Sequence, residues 1–100
     1  MNSEKTHQTL IMWGANKNQI AKILPSDMDE QEALQREQHI LAIEECLQLL
    51  FRQPEARKTF MNSASKGVFF EGRKPLEVIA SGSLDDLAEA HRIIRSMLCI

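Results

Sequence analysis

From Ala33 to Arg52 the chain contains neither Gly nor Pro, and that uninterrupted stretch constrains the fold more than any other feature. Within it Ile40, Ile43, Leu47 and Leu50 recur at helical spacing, and Ala42, Cys46 and Leu49 form a neighbouring stripe. A helix apolar over so wide an arc is buried on more than one side, so the rest of the chain must pack around it. Ser26 or Asp27 is expected to cap its start, and Asp27, Asp29, Glu30 and Glu32 complement the positive end of its dipole. Strands have no support: two-residue alternation is absent, Val and Thr are scarce, and there is no Tyr.

Shorter helical segments flank this one. Residues Glu4 to Trp13 form a first helix that Gly14 stops, and Asn16 caps a second one running through Leu24 to the break at Pro25. Pro54 suits the first turn of an amphipathic helix that buries Phe60 and Met61. Residues 62–74 are the main irregular segment, a structured loop because it carries Val68, Phe69 and Phe70 beside its glycines. Pro75 opens a short helix to Ala80, Gly82 breaks the chain, and Ser83 with Asp86 supplies a capping signal for a last helix to about Leu98. That helix places Leu84, Leu87, Ala88, His91, Ile94 and Leu98 on one face. The expected fold is all-α, with a long central helix, short helices around a Gly-Arg-Lys-Pro loop, and a C-terminal helix. Residues 1–26 are expected to form a short helical pair and residues 27–100 the main helical domain.

Bulk properties narrow the class of function. A chain of 100 residues leaves much apolar surface uncovered, so a homodimer or a bound partner is expected to supply further burial. Twelve Lys and Arg against fourteen Asp and Glu give a net charge of −2, which offers no general attraction to nucleic acid. The balance is uneven: four basic residues against eight acids in residues 1–50, and eight against six in residues 51–100. Partner-facing positive charge is therefore expected in the second half. Cys46 and Cys99 lie in apolar helical patterns without metal or redox spacing, which reads as buried thiols in a reducing compartment with no disulfide. No apolar run approaches the roughly 18 residues of a membrane span, so a cytoplasmic protein without membrane contact is expected.

Nothing in the sequence assembles a catalytic constellation. His7, His39 and His91 are far apart in sequence and lack metal-ligand spacing, so they read as surface or edge histidines, and neither metal nor cofactor is expected. His91 lies near the core stripe, where it could make an interface pH-sensitive. The serines are accounted for by loop and capping duties, and an enzyme is not expected. The first two helices invite a helix-turn-helix reading, but Pro25 to Glu30 puts acids where a recognition helix needs donors for the major groove. Duplex DNA is thus expected to be at most a weak partner.

Phe69-Phe70-Glu71-Gly72-Arg73-Lys74-Pro75-Leu76 and its continuation to Gly82 is the most informative stretch. Gly72 permits a backbone conformation or close approach closed to other residues, Pro75 starts a helix anchored by Leu76 and Ile79, and Arg73 and Lys74 are left projecting. Aromatic and Arg side chains dominate interface energetics, so a rigid loop presenting both is a protein-recognition surface in outline. The stretch resembles the hallmark segment of the Xre/MbcA/ParS antitoxin family. Trp13-Gly14 with Ile23-Leu24, the helix from Ile43 through Phe51, Asn62, and the final helix from Leu84 through Ile94 are similar to further pieces of that family, over roughly residues 9–98.

Lys74 stands where the family has a small hydroxyl residue, Asn62 is followed by Ser63 rather than Pro, and Ser26 to Glu32 replaces a basic or aromatic reading segment. The chain also ends at Ile100, short of the longer tail of many such antitoxins, so occlusion of a toxin by a tail is not expected. The resemblance implies a module that neutralises a cognate toxin, a RES-domain protein that consumes NAD, by covering its active site. Phe70, Arg73, Lys74 and Arg92 would be contact residues, with Gly72, Pro75, Leu76 and Gly82 as structural supports. The alternatives are a DNA-binding regulator that uses residues 6–24, or a solitary dimeric regulator without a toxin.

Overall fold

Most of the start and stop signals in the sequence mark helix boundaries in the computed structural model, which describes residues 3–63 and 72–98. The elements are α1 (Ser3–Met12), α2 (Lys17–Ile23), α3 (Glu30–Leu50), α4 (Pro54–Met61), α5 (Pro75–Ile79) and α6 (Leu84–Ser96), with no strand among the described residues. Gly14 ends α1 at a φ of 93°, its N–H donating to Ile11 while that of Ala15 donates to Leu10. That pair of bonds is a Schellman motif, and its left-handed residue favours glycine. Asn16 and Gln19 cap α2 reciprocally, each side chain accepting from the other's backbone N–H. Pro54 and Pro75 begin α4 and α5, where a missing N–H costs nothing. Ser83 accepts from the Asp86 N–H at the start of α6.

The cap of α3 lies further along than Ser26 or Asp27. Asp29 accepts the Glu32 N–H at 2.7 Å, and the acids of Glu30 and Glu32 then fall inside the first turn. Both placements satisfy the dipole argument; the backbone leaves only Asp29 in register. Helix α6 likewise ends at Ser96, with Met97 as its C-cap.

The long helix is the centre of the packing. It lies most extensively against α6 and then against α1, and Ile40, Ile43 and Leu47 are fully buried along it. Leu10 and Trp13 of the first helix and its turn, Ile20 and Ile23 of α2, Met61 of α4, Leu76, Val78 and Ile79 of α5, and Leu87, Ala90 and Ile94 of α6 join the same apolar cluster. Fully burying one such aliphatic side chain contributes about 1.5–3 kcal/mol. The expected second stripe on α3 is cut short: Cys46 is buried, but Leu49 is 74% exposed. At that end of α3 the chain turns away through Phe51 and Arg52 into α4. Phe60 is half-buried, stacked at a tilt on Phe51 with ring centroids 5.4 Å apart, while Met61 takes the core position.

Two charged positions interrupt the apolar face of α3, and both are structural. Glu44 is 7% exposed and accepts from the Trp13 indole N–H at 3.0 Å and from Gln48 at 3.3 Å. Its other partner is the buried Arg57 of α4, whose Nε stands 3.4 Å from Glu44 Oε2 as an ion pair outside hydrogen-bond geometry. Arg57 also donates through one Nη to the Phe51 and Arg52 carbonyls, both at 3.0 Å. Glu44 therefore ties the end of α1 and the body of α4 to α3. Asn62 adds a second tie, its side-chain N–H donating to the Trp13 carbonyl at 2.6 Å.

Arg36, one turn before Ile40, is 6% exposed. It donates to the Ile23 carbonyl at 3.0 Å and to the Gly82 carbonyl at 2.9 Å, and pairs with Glu32 at 3.5 Å. The Ile23 carbonyl is one of the orphans at the end of α2, so a buried guanidinium replaces the usual C-terminal cap. Removing one member of a buried ion pair leaves the other charge uncompensated. Glu44→Ala is accordingly expected to lower the unfolding free energy by about 3 kcal/mol or more. Leu49→Ala, at an exposed position, is expected to change it by less than about 0.5 kcal/mol. Urea unfolding of the two variants checks the contrast.

Candidate partner-binding surface

The turn into α5 is built from one conformational device and one anchor. Gly72 has a φ of 81°, and a Cβ placed there would meet nothing within 4 Å among the described residues. That positive φ is a backbone conformation that favours glycine. Pro75 and Leu76 are buried immediately afterwards, Leu76 at 2% exposure, and Val78 and Ile79 complete the anchored face of α5. Between the glycine and the anchor, Arg73 and Lys74 are exposed, with Lys74 as the N-cap residue of α5. The cations cannot follow the apolar residues inward, because Pro75 sets the direction in which the helix leaves.

Gly82 closes the far side of α5 at a φ of 87°. A Cβ there would lie 3.4 Å from the Lys22 carbonyl oxygen, so this turn sits close against the end of α2. With its own carbonyl bound by Arg36, Gly82 supports the loop from behind. Ser81 donates to the Asp86 carboxylate at 2.7 Å and accepts from the Ser83 N–H, which stiffens the passage into α6.

Arg92 is exposed on α6 and forms its ion pair with Glu89 of the preceding turn. It is thus available at the surface, although its guanidinium is already engaged within its own helix. Phe70 lies outside the described residues, as do its neighbours Phe69 and Glu71. Of the expected contact residues the structure brings Arg73 and Lys74 together on one turn; of the expected supports, Gly72 and Gly82 have positive φ, and Pro75 and Leu76 are buried.

The histidines are arranged otherwise than their sequence separation suggests. His39 of α3 and His91 of α6 are half-buried neighbours with their Nδ1 atoms 3.0 Å apart, a hydrogen bond in which one ring donates and the other accepts. Spacing along one helix could not reveal this pair, since it forms between helices; the position of both residues beside the apolar stripes was the available signal. Burial holds both imidazoles below their ordinary pKa, and His91 is lowered further by His39 and Arg95. Burial also pushes the Cys46 thiol up, an effect that Arg95 opposes and Glu45 reinforces. Cys46 is a free, buried thiol, as its apolar setting suggested, and Cys99 lies outside the described residues.

Among the described residues no helix is long and apolar enough to cross a membrane, and no group of three or more His, Cys, Asp or Glu is placed to hold a metal ion. No family model, no curated protein and no solved structure matches the chain.

The histidine pair makes stability depend on pH with a definite sign. A histidine whose folded pKa is lowered binds fewer protons folded than unfolded, so its contribution is complete above its ordinary value of about 6.5 and is lost as pH falls through the lowered value. The first proton can enter on a distal ring nitrogen without breaking the Nδ1 contact; the second breaks it. Wild-type protein is expected to show a lower urea midpoint at pH 5.5 than at pH 7.5. In the double variant His39→Ala with His91→Ala, that difference is expected to shrink.

Proposed function

We propose that this chain is an antitoxin-like binding module that neutralises a cognate toxin by covering its active site. The toxin is a RES-domain enzyme that consumes NAD, a partner taken from the resemblance of the segment from Phe69 to Gly82 to the Xre/MbcA/ParS hallmark. The supporting observation is the way Arg73 and Lys74 are displayed: two exposed cations on a turn fixed by Gly72 before them and by buried Pro75 and Leu76 after them. A turn whose backbone is fixed before the partner arrives loses little entropy on association. Phe70 and Arg92 are the further contact residues of this reading. Arg92 would exchange or share its Glu89 partner on binding.

A homodimer belongs to the same proposal. Leu34 and Leu49 leave apolar surface on α3, at 54% and 74% exposure, that a second copy would cover. The module is read as cytoplasmic, and as a binding protein without catalysis of its own.

Co-expression with the protein encoded by the adjacent gene is the direct test, scored by co-purification and by rescue of growth. A complex that restores growth is expected. The double variant Arg73→Glu with Lys74→Glu is expected to weaken that complex at least about tenfold, equivalent to about 1.4 kcal/mol. Its urea midpoint should stay near wild type, because exposed positions seldom cost more than about 0.5 kcal/mol. Absence of both complex and toxicity would overturn the antitoxin reading.

A further inference from the structure

His39 and His91 are 52 positions apart in the chain, yet their rings meet where α3 packs on α6. The Nδ1 atoms stand 3.0 Å apart, and the rings approach edge-on with centroids separated by 5.2 Å and planes inclined at 68°. Both are half-buried, so each ring is supported by its helix and keeps one side toward solvent. We propose that these two imidazoles form a binding site for a late first-row divalent metal of the Ni²⁺ or Cu²⁺ type, held by the two Nδ1 atoms with water completing its coordination.

The separation bears on the metal's geometry. An imidazole nitrogen lies about 2.0–2.1 Å from such an ion. Two of these bonds at a right angle place the nitrogens about 2.8–3.0 Å apart, whereas a tetrahedral angle requires about 3.3–3.4 Å. The observed 3.0 Å is that of the hydrogen bond between the rings, and it places the two nitrogens close to the spacing of adjacent positions in a tetragonal or octahedral site, the arrangement of Cu²⁺ and Ni²⁺ with nitrogen ligands. Protonation states agree. Burial keeps both imidazoles neutral near pH 7, which ligation demands.

In the metal-free pair one ring carries its proton on Nδ1 and donates it, and the other carries its proton on Nε2. Binding requires the donor's proton to pass through solvent from Nδ1 to Nε2, so that both Nδ1 lone pairs point at the ion; the pair as a whole releases no proton. The rings must also tilt away from the line joining them, toward the solvent side. Because no third protein ligand of the usual types surrounds the point among the described residues, water fills the remaining positions. Arg95, whose charge already lowers the His91 pKa, repels a dication and limits the affinity.

A metal bridging α3 and α6 binds the folded chain and not the unfolded one, so it raises the unfolding temperature. With NiCl₂ at about 1 mM, the full chain is expected to gain about 4 °C or more, the shift that roughly 1 kcal/mol of binding linkage gives a domain of this size. His39→Ala and His91→Ala should each abolish the gain, and His7→Ala should retain it. A gain that persists in both variants, or none in the wild type, overturns the proposal. A measurement on the wild type needs no variant to fold. At substoichiometric Ni²⁺ the ring resonances of His39 and His91 should broaden before those of His7, and broadening confined to His7 would equally overturn it.

Discussion

The Glu44 carboxylate, buried on the face of α3 that should be purely apolar, decides how the N-terminal helices join the rest of the molecule. Its oxygens receive the Trp13 indole and Gln48 and face the Arg57 guanidinium, so three elements meet at one side chain. A buried ion pair costs much of its Coulombic gain in desolvation, and an apolar substitute of similar shape could stabilise the fold as well. What the polar version adds is direction. Trp13 could slide along an aliphatic surface, but its N–H has one acceptor, and Asn62 holds the same residue's carbonyl from α4. The register of α1 on α3 is set by these bonds, and the surrounding Leu10, Ile43, Leu47 and Met61 fill the space that they define.

Arg36 performs the corresponding task one side-chain cluster earlier, and it bears on the binding surface. The guanidinium holds the Ile23 carbonyl with one arm and the Gly82 carbonyl with the other. The end of α2 and the turn between α5 and α6 are thereby fastened to the same point on α3. Gly82 also lies close against Lys22, and its φ of 87° is a conformation that favours glycine. The loop that displays Arg73 and Lys74 is therefore braced at its far end by a charge in the interior, not only by the burial of Leu76 at its near end. Arg36 connects the N-terminal helical pair to the proposed contact surface without itself reaching solvent.

Much of this architecture was legible in the residues. Gly14, Asn16, Pro54, Pro75, Gly82 and Ser83 each announce a boundary through backbone chemistry that needs no tertiary context, and the structure uses every one of them. The displaced α3 cap at Asp29 shows the limit of that signal, because a run of residues able to cap leaves the register open until the helix packs. Leu49 failed as a core residue for a different reason: apolar periodicity reports which face could be buried, and the departure of the chain into α4 decides how far along that face the cover extends. Arg36 and Glu44 carried a readable clue, since both fall at the spacing of Ile40, Ile43 and Leu47. A charge at a core position asks for a partner, but only the fold supplies Gly82, Trp13 and Arg57. The positions of His39 and His91 beside the apolar stripes likewise carried a clue, but only the fold brings the two rings together.

These placements separate the residues that hold the fold from those available to a partner. The interior charges Arg36, Glu44 and Arg57 are buried and engaged through carbonyls, an indole and the Glu44–Arg57 ion pair in the free protein, although each arginine keeps an Nε without a hydrogen-bond partner. Arg73, Lys74 and Arg92 are exposed and lie outside the apolar cluster. A chain of mildly acidic net charge can therefore present a local cationic surface without cost to its core, because the basic residues have been divided between the two duties. The division also explains why net charge is a poor guide to this molecule. Among the described basic residues, Arg36 and Arg57 are buried and engaged in the interior, and the charge relevant to the proposed partner is the local one on the turn before α5.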